Sequence, residues 1–509
     1  MSDHNENTRR IARNTLMLYI RMLFMMLLGL FTSRIVLEAL GENDYGIYNV
    51  VGGVVAMFTM ISGSLTTAVT RFITFELGKG GQAQMGKVYS TSLMIMCLLS
   101  VVVALMAEPI GLWFIDSKMT IDPSRIPAAR WVLHFSLLAF VINLMSVPQM
   151  ALITAHEKMS AYAYIGILDG LLRFGTALLI SRSGIDRLVL YAMLMTASVL
   201  IVRMTYSMYC RRNFPESAFR PVFELPLLKG MFSFAGWSFF GSMSGILRDQ
   251  GGNILVNIFS GPAVNAARAV AVQLNSAVQS FVTNFMTAVN PQITKSYASG
   301  DHEYMFSLMR KASRMSFYLL FILALPVLFN TEYLLGIWLK EVPEHSAIFV
   351  RLFLVFTLSE SISQPLITSM FATGNIRNYQ LVVGGLQFLN LPVSYVFLKA
   401  GAPPEVTVVV AIVISQICLW ARLFMLHGMI GLDVPAFLRR VYFNVIIVAS
   451  VAIVLPYMAS MNPADGFAGF AVNVTVCVVS AFCSIFFVGC SSEERKSVAA
   501  FVKRRLNLR

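Results

Sequence analysis

Apolar residues recur along this chain in stretches of about 20 or more, separated by short polar or charged segments. Because a helix needs roughly 20 apolar residues to cross the hydrocarbon core of a bilayer, the pattern predicts an all-α integral membrane protein. The first stretch is too long for a signal-peptide core and is expected to remain as an uncleaved span. The fourteen predicted transmembrane helices lie near residues 14–38, 47–70, 89–115, 130–154, 159–181, 187–210, 231–258, 263–289, 313–337, 347–372, 378–399, 405–428, 438–459 and 467–490.

The composition supports a membrane protein over a soluble one. Hydrophobic residues make up 57% of the 509 residues and charged residues 13%, whereas a soluble domain carries about 45–50% and about 25%. The mean hydropathy is +0.70. The six cysteines lie in or beside apolar stretches without metal-ligand or disulfide-framework spacing, so we expect small hydrophobic side chains and no metal site. No nucleophile–base pattern or phosphate-binding loop is present in the sequence, and the protein is not expected to be an enzyme.

The net charge of +13 is compatible with nucleic-acid binding or with cationic loops that fix membrane topology. The placement of the charges favours topology, because segments predicted to be cytoplasmic hold 24 Lys and Arg residues and predicted outer segments hold seven. This split follows the positive-inside rule with both termini in the cytoplasm. Nucleic acid is therefore not an expected partner. Membrane lipids are, because the basic tail from residue 491 onward is predicted to lie on the anionic cytoplasmic leaflet.

Two segments that end apolar stretches repeat each other 220 positions apart. "TAVTRFITFELGKG" (67–80) and "TAVNPQITKSYASG" (287–300) agree without a gap at six positions, and Gly41 pairs with Gly261 at the same offset. A single match could arise by chance in so apolar a chain, but several in one order indicate an internal repeat. Further matches at offsets of 217 to 225 join 108–114 to 332–339 and 147–162 to 364–379.

Spans 1–6 are therefore predicted to recur as spans 7–12, with two C-terminal helices appended. Because six is an even number, both copies enter the membrane in the same direction. Parallel repeats of this kind are typical of transporters that work by alternating access, with the substrate site between the halves. The predicted division is an N-terminal lobe over 1–212, a C-terminal lobe over 213–430, and helices 13–14 with the basic cytoplasmic tail over 431–509.

The segments "SRIVLEALGENDYGIYNVVGG" (33–53) and "RFITFELGKG" (71–80), together with the 6+6+2 arrangement, resemble a known family. It is the polysaccharide-transport branch of the multidrug/oligosaccharidyl-lipid/polysaccharide (MOP) flippase superfamily, which includes Wzx-type O-antigen flippases. The resemblance covers nearly the whole chain and implies two six-helix lobes around a V-shaped central cavity. It also implies movement of undecaprenyl-diphosphate-linked oligosaccharide from the cytoplasmic to the outer leaflet of a bacterial inner membrane.

Ionisable residues inside membrane spans are costly, so each is a functional hypothesis. Arg21, Arg34, Arg248 and Arg268 lie in the first two spans of each predicted lobe, which line the cavity in the resembled family. Guanidinium groups bind phosphate oxygens bidentately, so these four are the predicted substrate-binding residues. Arg34 and Arg268 lie near outer span ends, where snorkelling to the interface is the alternative. Arg351 and Arg422 are also assigned to snorkelling.

The intramembrane carboxylates suggest two further roles. Asp169 and Arg173 are four positions apart on one helix face, and a structural pair is favoured over substrate contact. Glu360 and Asp249 are candidates for coupling transport to H⁺ or Na⁺. For Glu360 the alternatives are a protonated carboxyl group or a pair with Arg248. No other cofactor is expected.

The favoured function is a lipid-linked oligosaccharide flippase that works with membrane lipids and with a polysaccharide polymerase or other assembly proteins. A cation-coupled multidrug exporter of the same superfamily is the alternative, but intramembrane arginines suit a cationic drug poorly. A membrane scaffold that gathers polysaccharide enzymes without transport is the third hypothesis. The sequence does not indicate which sugar unit is carried.

Overall fold

The protein is described from a computed structural model that covers residues 2–495 apart from 57, 118, 120, 181–183, 185, 221–223, 340, 462–465 and 493. Throughout these residues the regular secondary structure is helical. The helices are α1 (Ser2–Ala56), α2 (Thr59–Gly78), α3 (Gln82–Ser117), α4 (Ile126–Ala155), α5 (Met159–Ile180), α6 (Arg187–Asn213), α7 (Leu225–Ala298), α8 (His302–Phe329), α9 (Thr331–Trp338), α10 (Ser346–Thr373), α11 (Arg377–Tyr379), α12 (Gly385–Phe388), α13 (Asn390–Lys399), α14 (Val406–Ile430), α15 (Val434–Phe437), α16 (Phe443–Ser460) and α17 (Gly466–Ser484). Short π-helical segments lie at Gln380–Gly384, Leu438–Tyr442 and Ile485–Gly489, and 3₁₀ turns at Pro123–Arg125 and Pro215–Ser217.

Twelve helices in the described part of the chain are long and apolar enough to cross a membrane. They overlap thirteen of the fourteen predicted spans, because the 74-residue helix α7 contains both 231–258 and 263–289. The remaining predicted span, 47–70, lies across two helices, since α1 ends at Ala56 and α2 begins at Thr59. The count of fourteen is thus roughly consistent with the structure.

Glycines break and end the helices at equivalent places in the two predicted repeats. Gly41 interrupts α1 with φ/ψ of 75°/169°, and Gly261 interrupts α7 with 83°/176°. Gly80 and Gly300 lie in the turns that follow α2 and α7, with φ of 75° and 78°. L side chains rarely adopt these conformations. The sequence matches at offset 220 therefore coincide with backbone conformations that require glycine.

The chain packs as two compact units. Unit 1 consists of residues 1–242 and 287–301, and unit 2 consists of residues 243–286 and 302–509. The last segment of α7 thus packs with unit 1, although it belongs to the predicted C-terminal lobe. These packing units do not test the predicted repeat boundaries at 212 and 430, which remain predictions.

Candidate functional site

Unit 2 contains a small cavity lined by two of the predicted arginines, Arg248 and Arg268 of α7. The cavity holds about 20 Å³, which is room for one water molecule. The two arginines lie on opposite sides of Gly261 in the sequence of α7. The break at Gly261 turns the helix, and both side chains line the same cavity. Other walls come from α10, α13 and α14, which contribute Phe353, Phe356, Asn390, Ser394 and Thr407.

Arg268 is buried in this cavity and held by several polar groups. Its Nε donates to Asn253 Oδ1 at 2.7 Å, its Nη1 to Thr407 Oγ1 at 3.3 Å, and its Nη2 to the Asp249 carbonyl at 3.3 Å. The guanidinium lies 5.1 Å from the ring centroid of Phe353. With 4% of the residue exposed, Arg268 does not snorkel, and that alternative is wrong. The three hydrogen-bond acceptors are neutral, and the Asp249 carboxylate attracts the guanidinium at longer range.

Arg248 is paired with its neighbour Asp249 in a bidentate contact. Nε and Nη2 donate to the two carboxylate oxygens at 2.8 and 3.2 Å, and the guanidinium lies 4.8 Å from the ring centroid of Phe356. One acidic and two cationic side chains therefore line the cavity, which leaves an excess of positive charge. An arrangement of this kind favours an anion.

Arg21 and Arg34 both lie on α1 in unit 1, but the structure does not bring them together. Arg21 stacks on Tyr162 of α5 at 4.7 Å, and among the described residues its buried Nε has no hydrogen-bond partner. Gly166 leaves the space that Arg21 occupies, since a Cβ there would overlap the side chain. Arg34 is exposed and donates to Glu38 Oε1 at 3.0 Å. Arg21 is thus the stronger of the two candidates for contact with an anion.

The second predicted pair, Asp169 and Arg173, is formed within α5 of unit 1. Arg173 Nε donates to Asp169 Oδ1 at 3.0 Å. Arg173 also lines a separate cavity of about 230 Å³ with Tyr45, Tyr48 and Asn49. The geometry matches the i,i+4 pair expected from the sequence, and its structural role remains a prediction.

Glu360 of α10 is paired with Arg422 of α14. Arg422 Nη1 lies 3.7 Å from Glu360 Oε1, and the Arg422 side chain is 1% exposed. The assignment of Arg422 to interfacial snorkelling is therefore wrong. Tyr379 also interacts with the guanidinium of Arg422. The partner of the candidate coupling carboxylate is thus a residue that sequence reasoning discounted.

Glu157, which sequence reasoning did not select, connects three separate segments of unit 1. Its buried carboxylate accepts from Arg10 Nε at 2.9 Å, Gln292 Nε2 at 2.6 Å and Lys295 Nζ at 2.5 Å. Its carbonyl oxygen accepts from Asn14 Nδ2 at 3.1 Å. The backbone of Glu157 is left-handed, with φ 57°, a conformation that disfavours non-glycine residues. In the sequence, Glu157 is marked only as the one carboxylate of the "AHEKM" segment between two predicted spans.

The preceding residue, His156, contacts the segment that follows α6. Its Nε2 lies 2.5 Å from Glu216 Oε1, and its ring stacks on Phe214 with centroids 4.3 Å apart. Burial lowers the pKa of His156 below its ordinary value, although Glu216 acts in the opposite direction. The imidazole is therefore favoured in its neutral form.

Comparison with known proteins gives the family and the fold. Residues 11–297, more than half of the chain, match the family model described as "Polysaccharide biosynthesis protein". No curated protein matches the chain. Two solved structures of similar fold bear the titles "Crystal structure of MATE in complex with MaD3S" and "Outward-facing conformation of a multidrug resistance MATE family transporter of the MOP superfamily".

These likenesses span nearly all of the solved chains and more than four fifths of this one. The MaD3S complex has a TM-score of 0.71 at 13% identity, covering 83% of this chain and 97% of the other. The outward-facing transporter has 0.70 at 14%, with the same coverage. A variant of the Vibrio cholerae MATE transporter VcmN has 0.70 at 14%, covering 85% and 99%. The predicted family resemblance and the all-α transporter fold are thereby confirmed.

The chain therefore belongs to the polysaccharide biosynthesis protein family and is a multi-pass membrane protein with the fold of the MATE transporters.

Proposed function

We propose that this protein is a flippase for undecaprenyl-diphosphate-linked oligosaccharide in the bacterial inner membrane. It moves the O-antigen, capsule or exopolysaccharide unit from the cytoplasmic to the outer leaflet by alternating access, with both termini cytoplasmic. It catalyses no covalent reaction, and a polymerase or other assembly protein receives the flipped unit. The observation that carries this proposal is the Arg248–Arg268 cavity of unit 2 in a polysaccharide biosynthesis protein.

The chemistry of the cavity suits a diphosphate headgroup. A lipid diphosphate is a compact multivalent anion, and guanidinium groups offer it paired donors. Arg268 keeps its charge among neutral partners, whereas Arg248 must exchange Asp249 for a phosphate to bind it. The rings of Phe353 and Phe356 lie against the two guanidinium groups, and charges beside apolar groups attract more strongly than in water. Because the cavity is no larger than one water molecule in this structure, substrate entry requires the side chains to move apart.

Arg21 is the candidate phosphate contact of unit 1, described separately from the unit 2 cavity. Its Nε has no partner among the described residues, and Tyr162 supports the flat face of the guanidinium. A buried hydrogen-bond donor without an acceptor costs free energy. A phosphate oxygen that accepted from Arg21 Nε would remove this cost. Arg34 is the weakest of the four predicted contacts, because it is exposed and paired with Glu38.

Coupling to H⁺ or Na⁺ is assigned to Glu360 and Asp249. Each carboxylate lies beside an arginine, at 3.7 Å from Arg422 and 2.8 Å from Arg248. Protonation of either carboxylate would release its arginine for a phosphate. This exchange would link an ion gradient to substrate binding.

The second candidate function, a cation-coupled multidrug exporter, is favoured by the fold shared with MATE transporters. The excess of arginine over acid in the unit 2 cavity weighs against it, because a cationic drug would be repelled. The two functions predict different effects of inactivation: a flippase mutant accumulates lipid-linked oligosaccharide, whereas an exporter mutant changes drug tolerance.

The test measures lipid-linked oligosaccharide in the host with Arg21→Ala or Arg248→Ala at matched membrane levels. Arg130→Ala is the control, because Arg130 forms an exposed pair with Asp116 at 3.0 Å. We expect the first two variants to trap precursor on the cytoplasmic leaflet and to reduce surface polysaccharide at least about tenfold. Normal surface polysaccharide after deletion of the whole protein, with altered drug tolerance, would instead establish the exporter.

A further inference from the structure

A second charged cavity lies in unit 2, away from the arginines of α7. It holds about 560 Å³ where α8, the Leu438–Tyr442 π segment and the chain after Ile485–Gly489 meet. That volume is within the range of small-molecule sites. Five cationic side chains and one acid line it: Arg310, Lys311, Arg314, Arg439, Arg440 and Glu494.

Arg314 and Glu494 neutralise each other and build one wall of this basic cavity. Arg314 Nη2 donates to Glu494 Oε1 at 2.6 Å, and Nη1 donates to the Gly489 carbonyl at 3.0 Å. The Arg314 side chain is 12% exposed, and its buried Nε has no hydrogen-bond partner among the described residues. Arg314 is therefore a fixed cation in the wall of the cavity, whereas Lys311, Arg439 and Arg440 are exposed cations around it.

The other four cations have no acidic partner within 4.0 Å in the part of the chain that the structure describes. Arg314 lies four positions after Arg310 and three positions after Lys311, so it shares one face of α8 with both. Arg310 is repelled by Arg440 and Arg314 and attracted by Asp433. Among the described residues, positive charges around the cavity therefore outnumber acids, which favours an anionic ligand.

An apolar surface adjoins the basic cavity. Asn444 and Val488 line the cavity, and their chain neighbours Phe443 and Phe487 are exposed, as is Ile447 one helical turn further along α16. In a membrane protein, exposed apolar side chains of this kind contact lipid chains. A ligand that fits both features has an anionic head and hydrocarbon chains.

We infer that the basic cavity binds the phosphate headgroup of an anionic glycerophospholipid, whose acyl chains lie along α16 and the segment after α17. Guanidinium and ammonium groups bind phosphate oxygens by charge-assisted hydrogen bonds. Basic pockets between the ends of transmembrane helices are suited to acidic headgroups. This site requires the membrane setting of the fold but is independent of the transported cargo.

The test measures lipid binding to the delipidated full-length protein by native mass spectrometry. The probes are dioleoylphosphatidylglycerol, dioleoylphosphatidylcholine and inorganic phosphate. We expect Arg310→Gln/Arg440→Gln to weaken phosphatidylglycerol binding at least about tenfold. The matched control is Arg212→Gln/Arg220→Gln, which removes two exposed arginines of unit 1 and should change binding less than about twofold.

Three results would overturn the inference. They are an equal loss in the control variant, phosphatidylcholine binding as strong as phosphatidylglycerol binding, and displacement of the lipid by equimolar inorganic phosphate, which would make free phosphate the ligand. If Arg310→Gln/Arg440→Gln does not fold, Lys311→Gln/Arg439→Gln replaces it, because both of those side chains are exposed. The same loss is expected there, and unchanged binding would contradict the site.

Discussion

Gly41 and Gly261 are 220 positions apart and share one backbone conformation, with φ/ψ of 75°/169° and 83°/176°. This combination is essentially restricted to glycine. Each glycine breaks a long helix at the same point of its repeat. The repeat in the sequence is therefore also a repeat of local structure.

Replacement of Gly41 by alanine should destabilise the protein through its backbone alone. An added Cβ would meet no atom within 4 Å, so the expected loss of about 1–3 kcal/mol comes from the disfavoured φ/ψ. Gly29→Ala is the control, because a Cβ at that helical position also meets nothing within 4 Å. Apparent Tm in detergent measures both variants. A Tm loss for Gly29→Ala as large as that for Gly41→Ala would refute this explanation.

Gly252→Ala should impair transport by displacing Arg268. The new Cβ would lie 2.7 Å from Arg268 Nη2, and the guanidinium must leave its bond to Asn253. We expect the transport rate into proteoliposomes to fall about tenfold at equal protein content. Gly245→Ala on the same helix has open space and should keep the wild-type rate. Equal rates in the two variants would show that the position of Arg268 does not matter.

Glu157→Gln should destabilise unit 1 strongly. The substitution keeps the shape of the side chain but leaves Lys295, whose side chain is 22% exposed, without its carboxylate. Loss of one partner from a fully buried pair costs about 3–5 kcal/mol, and the partial exposure of Lys295 places the expected loss at the low end of that range. Asp116→Asn breaks the exposed pair with Arg130 and should cost less than about 1 kcal/mol. Urea or thermal unfolding in detergent measures the stability of both variants. Similar losses of stability in the two would mean that the ion pairs of Glu157 do not stabilise unit 1.

His156 should make stability depend on pH in the acidic range. Because burial lowers its pKa in the folded state below the ordinary 6.5, the unfolded chain takes up the proton first as pH falls. The contribution of neutral His156 to the free energy of unfolding is fully present above about pH 6.5. It is lost as pH falls through the lower pKa of the folded state.

The measurement is apparent Tm between pH 7.5 and 5.5 for wild type, His156→Asn and His134→Asn. Only His156→Asn should flatten the acid-side decline, by on the order of 1 °C. His134 is the control, because it lies near Glu108 at 3.3 Å in a more exposed setting. A decline that is unchanged in His156→Asn would assign the pH dependence to other groups.

The sequence predicted the helices and the repeat well, because both depend on local patterns. The length of the apolar stretches predicts the spans, and the matches at offset 220 predict the repeat. That Gly41 and Gly261 interrupt helices, and that Gly80 and Gly300 follow them, is seen only in the structure. Hydropathy predicts one continuous span over 47–70, whereas in the structure α1 ends at Ala56 and α2 begins at Thr59. Periodicity and length cannot locate a break that lies inside an apolar run.

The candidate site was only partly predictable, because ion pairing depends on contacts between distant segments. Arg422 was assigned to a span end by its position, yet packing of α14 against α10 buries it beside Glu360. Glu157 was missed for a related reason, since its partners Arg10 and Lys295 are 147 and 138 positions away in the sequence. A single sequence records charges but not which of them meet.

The assignment of residues 287–301 to unit 1 has a consequence for biogenesis. Unit 1 remains incomplete until these residues are synthesised, although its first 242 residues have already left the ribosome. Glu157 lacks Gln292 and Lys295 while the 44 intervening residues of unit 2, 243–286, are synthesised. A chain truncated at residue 242 would keep Arg10 as a partner of Glu157 but would lack the other two, so the first 242 residues would not complete unit 1.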